Sequence, residues 1–167
     1  MNTATLQSDG TAVVVIRLER RLARPPAEVW RALTDRDELN TWFPNDVVVD
    51  KWTVGASIVF PWRDHDMEPM TGIVLEVDEP TTLSFTWGEE RLRFELTANS
   101  DGGTDLVLTD ELPRGHAARN ASGWDVCLAL LVDHTAAPPE WRPLFDRYVD
   151  LFEPEAGPQE GPPPGFE

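Results

Sequence analysis

The chain has 167 residues, 41% of them hydrophobic, with seven Trp and seven Phe, and it carries a formal charge of −16. A chain of this length and composition buries roughly two-thirds of its unfolded surface as one globular domain. Nucleic acids and anionic lipids are bound mainly by neutralising phosphate, and 14 basic residues against 30 acidic ones, with Lys51 the single lysine, argue against both as partners.

One cysteine, Cys127, rules out an internal disulfide, and MNTATLQSDG lacks the basic-then-apolar layout of a secretory signal. No apolar run approaches the roughly 20 residues that cross a bilayer. The expectation is a soluble, cytoplasmic protein with no membrane association.

Residues 1–10 are polar and are expected to be a flexible N-terminus. From there Val14, Ile16 and Leu18 alternate with Arg17 and Glu19, the mark of a strand with one buried face. Pro25 and Pro26 suit a helix start, and Val29, Trp30 and Leu33 recur at helical spacing, with Trp30 anchoring the helix. A second short helix is expected to open at Asp35, with Glu38 three positions on as in a capping box, and to stop near Trp42 and Phe43 before Pro44.

Between Asp46 and Leu112 the period becomes two. DVVVD, ASIVFPW, GIVLEVD, TLSFTW, RLRFELTA and TDLVLTD read as successive strands, with Ile58, Phe60 and Trp62, then Ile73, Leu75 and Val77, then Leu83, Phe85 and Trp87, then Leu92, Phe94 and Leu96, and finally Leu106 and Leu108 on the apolar face. Breakers at Asp78-Glu79-Pro80, Gly88-Glu89-Glu90 and Ser100-Asp101-Gly102-Gly103 join them as an antiparallel meander. After Pro113, Ala117, Ala121, Trp124, Leu128, Leu131 and Thr135 form one stripe of a helix of about 30 Å if it spans His116 to Thr135. Gly123 weakens that helix, and Ser122 with Asp125 offers an alternative cap. A further amphipathic segment runs from Glu140 to Phe152, and residues 153–167, rich in Pro, Gly and Glu, are expected to be disordered.

These pieces make an α+β fold in which a curved antiparallel sheet of six to seven strands needs a cover, which the long C-terminal helix supplies. RPPAEVWRALTDRDELNTWFP (24–44), VGASIVF (54–60), TGIVLEVDEPTTLSFTW (71–87), GTDLVLTDEL (103–112) and GWDVCLALL (123–131) together resemble the START-like, or SRPBCC, superfamily with its helix-grip fold, in the branch named after the activator of a heat-shock chaperone's ATPase. The resemblance covers residues 11–152, the expected domain. It implies a cavity between sheet and long helix that holds an apolar or aromatic small molecule, and Phe60, Trp62, Phe85, Trp87, Phe94, Trp124 and Leu128 are the residues expected to line it. Trp62 and Trp87 stand out, since they sit at strand ends where the layers splay and their indole N–H groups can orient a ligand.

Three other stretches carry candidate chemistry. WRDHDMEPM (62–70) places Asp64, His65, Asp66 and Glu68 close together, but as a hairpin turn it reads as a solvated loop at a cavity mouth, with Met67 and Met70 as adaptable contacts. Its alternative, a divalent metal site, lacks a second His, a Cys pair or a calcium-loop pattern. Cys127 and His134, about 10.5 Å apart along one helix, cannot act together. His116, Arg119 and Asn120 lie beside Asp110 and Glu111, and His116 is the one candidate for a general acid or base.

The first functional expectation is therefore a binding module for a hydrophobic or aromatic small molecule, with no cofactor. The alternatives are a cyclase or aromatase-like enzyme on the same cavity, and a chaperone-associated or other protein-interaction module. The last counts least, because the chaperone activators carry a separate N-terminal domain for which a chain opening on the strand at Thr11 leaves no room. Homodimerisation through Trp141–Phe152 is a further option, ranked below packing of that segment on its own domain.

Overall fold

The computed structural model describes residues 3–162. Eight strands form one antiparallel sheet: β1 (Thr5–Ser8), β2 (Val13–Leu22), β3 (Val48–Val49), β4 (Ser57–Phe60), β5 (Met70–Asp78), β6 (Thr82–Trp87), β7 (Glu90–Ala98) and β8 (Thr104–Pro113), in the spatial order β1-β2-β8-β7-β6-β5-β4-β3. Helices α1 (Pro26–Thr34) and α2 (Arg36–Leu39) connect β2 to β3. A single 3-10 turn (Arg114–His116) leads from β8 into α3 (Ala117–Val132), and α4 (Trp141–Ala156) follows. Helix α3 lies against the inner face at β2, and α4 packs on α3.

Alternation of apolar and polar residues decides which face of each strand points inward. Val14, Ile16, Leu18 and Leu22 of β2, Ile58 and Phe60 of β4, Leu83 and Phe85 of β6, Leu92, Phe94 and Leu96 of β7, and Leu106, Leu108 and Leu112 of β8 are all buried. Strand β5 departs from the expected phase. Ile73 and Leu75 are 50% and 36% exposed, while Gly72 and Val74 face the core. A Cβ at Gly72 would lie 1.9 Å from the Thr86 carbonyl oxygen and 3.0 Å from the Phe60 ring, so the residue that points inward there must be glycine. A register shift between Val74 and Glu76 then brings Val77 half-way back to the core.

The two ends also differ from expectation. Thr5–Ser8 is an edge strand paired with Val14–Arg17, although it holds one large apolar residue, Leu6. Its position is fixed by tertiary contact: the buried Ala4 N–H donates to the Tyr148 hydroxyl on α4. At the other end α4 continues to the buried Ala156, and Gly157, with φ of +78°, closes it by donating to the Glu153 carbonyl. The chain then folds back over the start of α3. There the Gln159 side chain accepts from the Ala118 N–H and donates to the Arg114 carbonyl, and the Glu160 N–H donates to the Gly115 carbonyl. The Ala118 N–H is one of the donors at a helix start that have no intrahelical partner. Residues 163–167 of the expected disordered tail lie outside the described residues.

Helix α3 is shorter than the expected span, 16 residues or about 24 Å. It runs through Gly123 without a break. The Ser122 hydroxyl does not cap; it donates back to the Ala118 and Arg119 carbonyls. The apolar face of α4, with Leu144, Phe145, Tyr148 and Phe152 buried, is spent within its own domain.

One buried polar group ties these layers together. Arg20 occupies an inward position of β2 and pairs with Asp125 of α3, whose other oxygen accepts from the Tyr148 hydroxyl at 2.5 Å. Both members of the pair are largely out of water, so removing one leaves the other uncompensated. Asp125→Ala is expected to lower the unfolding free energy by roughly 3–5 kcal/mol in urea titrations, while the double replacement Arg20→Met with Asp125→Leu recovers most of that loss.

Candidate functional site

The middle of the space between sheet and helix is filled. Phe43, delivered by the turn after α2, sits with its ring centroid 6.1 Å from Phe60, 6.2 Å from Phe85, 5.9 Å from Trp87 and 5.8 Å from Trp124. Phe94 stacks on Phe85 and meets Trp42 edge-on. Phe60, Phe85, Phe94 and Leu128 are thus solid core, each no more than 2% exposed, and none faces an opening.

Open space lies instead at one end of the layers, as a cleft of about 580 Å³. Trp62 and the loop after it, Trp87 and the turn between β6 and β7, Trp124 and Cys127 on α3, and Trp141 at the start of α4 form its walls. Of the seven residues expected to line a cavity, the structure brings three to it: Trp62, Trp87 and Trp124. The Trp87 N–H is not available to a ligand, because it donates to the buried Asn45 carboxamide oxygen at 3.0 Å. Met67 and Met70 stand at the mouth with Asp64 and His65. Among the described residues no three of His, Cys, Asp and Glu converge as metal ligands, and Asp64, Asp66 and Glu68 point into solvent along the loop. A shallower groove of about 590 Å³ crosses Trp30 and Trp52, lined also by the charged side chains of Glu28, Arg31, Asp35, Lys51 and Glu79.

The cleft's floor is its chemical feature. Glu90, the first residue of β7, lines it, and Asp110 of β8 lies behind, fully buried and within hydrogen-bonding reach of Glu90. From α3 the Asn120 amide donates to Glu90 Oε1 at 2.5 Å and to Asp110 Oδ2 at 3.2 Å, and the Trp124 indole N–H donates to the same Oδ2 at 2.9 Å. Asp110 Oδ1 has no donor among the described residues. Burial disfavours two adjacent charges here. Glu90 is pushed up to about 10, by burial first and then by the charge of Asp110, and burial raises Asp110 as well. Glu90 therefore keeps its proton at neutral pH, and burial disfavours charge on Asp110 beside it.

Other candidates fall into place around this floor. His116 Nε2 sits 3.0 Å from the Glu160 carboxylate, and Arg119 donates to the Gly161 carbonyl at 3.1 Å, so both face the returning C-terminal segment rather than open water. Burial pushes the Cys127 thiol up to about 12, away from the thiolate form. His134 is exposed beyond the end of α3.

Glu90 could have been found by parity, since it shares the inward phase of Leu92, Phe94 and Leu96, as Asp110 shares that of Leu106, Leu108 and Leu112. A carboxyl that keeps its proton when folded and loses it when unfolded makes stability fall as pH rises, from its ordinary value of 4.5 toward about 10. Between pH 5 and 8 the wild-type melting temperature is therefore expected to drop, at a cost of up to about 1.4 kcal/mol per pH unit for one proton, and Glu90→Gln is expected to flatten that slope.

Similarity to known proteins is consistent with this architecture. No curated protein matches the sequence. Among solved structures, a conserved protein of unknown function, EF2215 from Enterococcus faecalis, superposes with a TM-score of 0.77 at 23% identity, covering 89% of each chain. CalU16 from Micromonospora echinospora gives 0.70 at 20% identity, over 93% of this chain and 97% of its own. DynU16, a putative protein in the dynemicin biosynthetic locus, gives 0.61 at 24% identity, over 72% of this chain and 46% of its own. At such identities the likeness establishes the helix-grip fold. The sequence itself carries the closer relationship: residues 23–136 match one family throughout, and the chain belongs to the Activator of Hsp90 ATPase homolog 1-like family.

Proposed function

We propose that this protein is a binding module that takes one apolar or aromatic small molecule into the end cleft. The observation that carries the reading is the cleft itself: about 580 Å³, within the range of small-molecule sites, walled by Trp62, Trp87, Trp124 and Trp141 over a floor of a few convergent polar groups. Methionines at the mouth let it adjust to ligand shape. The association of DynU16 with a biosynthetic locus agrees with a small-molecule ligand. No helix among the described residues is long and apolar enough to cross a membrane, in keeping with a cytoplasmic carrier or sensor.

The Glu90–Asp110 pair favours a second reading, an enzyme of the cyclase class on the same cleft, with Glu90 rather than His116 as the proton carrier. Product formation separates the two readings. A binding module returns its ligand unchanged.

Gly123 gives a direct test. It lines the cleft from α3, and a Cβ there meets nothing within 4 Å, so a larger side chain grows into open space rather than into the core. It also removes a helical glycine, worth about 1 kcal/mol of stability. Gly123→Leu is expected to fold as well as or better than wild type and to bind the uncharged fluorescent probe N-phenyl-1-naphthylamine on the order of tenfold more weakly. If wild type shows no saturable probe fluorescence, or if Gly123→Leu binds unchanged, the cleft is not the binding site.

A further inference from the structure

The cleft's walls and floor constrain its ligand more narrowly than apolar character alone. The Glu90 and Asp110 carboxyls stand side by side at the cleft floor, and among the described residues neither forms an ion pair with an Arg, Lys or His. Three of the basic residues that line the cleft are committed elsewhere. Arg119 and His116 face Glu160, and the Arg63 guanidinium donates to Asn40 and to the Phe43 carbonyl. Asp110 Oδ1, fully buried, lacks a donor of its own. Four indole rings line the cleft with these carboxyls, and ring faces attract cations, most strongly where water is excluded. An overall charge of −16 draws cations toward the whole surface.

We propose that the cleft selects a ligand that carries an ammonium group on an aromatic or apolar frame, the ammonium seated against Glu90 and the frame among Trp62, Trp87, Trp124 and Trp141. The inference rests on the binding reading above and names its ligand class. It has a measurable corollary. The groups facing Glu90 are Asp110 and Glu89, which disfavour its ionisation, and Arg119, which favours it, while His116 acts on Asp110. A seated ammonium adds a close positive charge that tips this balance, so Glu90 ionises and the proton passes to buffer. No bond to the ligand forms or breaks, and at most one proton leaves per ligand bound.

Isothermal titration calorimetry with tryptamine and its uncharged isostere tryptophol tests this, in phosphate and in Tris near neutral pH. Tryptamine is expected to bind on the order of tenfold more tightly than tryptophol. Its enthalpy is expected to differ between the buffers by an amount corresponding to roughly one released proton, whereas the tryptophol enthalpy stays the same. Glu90→Gln should lose the preference for the amine. Asp110→Asn should keep it with a smaller buffer dependence, because the Asp110 charge ranks second, after burial, among the causes that hold the proton on Glu90.

Both substitutions are isosteric, and the wild-type buffer comparison stands without them. Equal affinity for the two probes, or a buffer-independent enthalpy for tryptamine, overturns the proposal. If N-phenyl-1-naphthylamine still binds and Gly123→Leu still blocks it, only the ligand class is wrong. If the dye does not bind either, the binding reading falls as well.

Discussion

An acid on the inner face of a β-sheet sets the geometry of this protein. Asp110 sits where β8 would otherwise present a fourth apolar residue, and a carboxylate with no exposed surface needs donors. Trp124 and Asn120, four residues apart on α3, supply them. Their bonds hold the first half of α3 in register over the sheet, and because Trp124 also packs against Phe43 and Trp87, the same side chain joins the polar floor to the aromatic core. The cleft exists because this end of the interface is organised by hydrogen bonds of fixed length rather than by side chains free to close together.

Phe43 explains why the opening is terminal rather than central. A sheet curved round a helix would enclose a long cavity if nothing stood between the layers. The turn after α2 inserts an aromatic ring into that space, within about 6 Å of rings from β4, β6 and α3. Trp42 beside it bonds to the Ala32 carbonyl and so fixes the turn to α1. The two short helices thus act as a plug for the inner half of the fold, and what they leave unfilled is the tryptophan-walled end.

Much of this was legible in the sequence, and the failures have physical causes. Alternation located seven strands and the inward residues of most of them, because each has one face in the core. It misphased β5, where GIVLEVD offers apolar residues on both faces and the deciding contact, Gly72 against the Thr86 carbonyl, belongs to another strand. It missed β1, whose polar residues earn a place through α4 rather than by their own propensity. The tryptophans at strand ends lie at the cleft, whereas the phenylalanines nearer the middle meet Phe43, a neighbour that no local pattern announces. Glu90 and Asp110 each lay in the right phase to face inward, but that they face each other depends on the pairing of Leu92 with Asp110, which only the folded sheet reveals.

The returning segment at Gln159 and Glu160 bears on how the molecule is made. During synthesis α3 emerges about forty residues before the groups that complete its first turn, and β1 waits still longer for Tyr148, 144 positions away. A nascent chain can assemble the meander and pair β1 with β2 early, yet the rim of the cleft and the Ala4 N–H acquire their later partners only once residues 148–160 have been made. Contacts of such long separation are reached late in folding as well, so a chain still lacking residues 148–160 would expose a basic helix start that the complete fold covers.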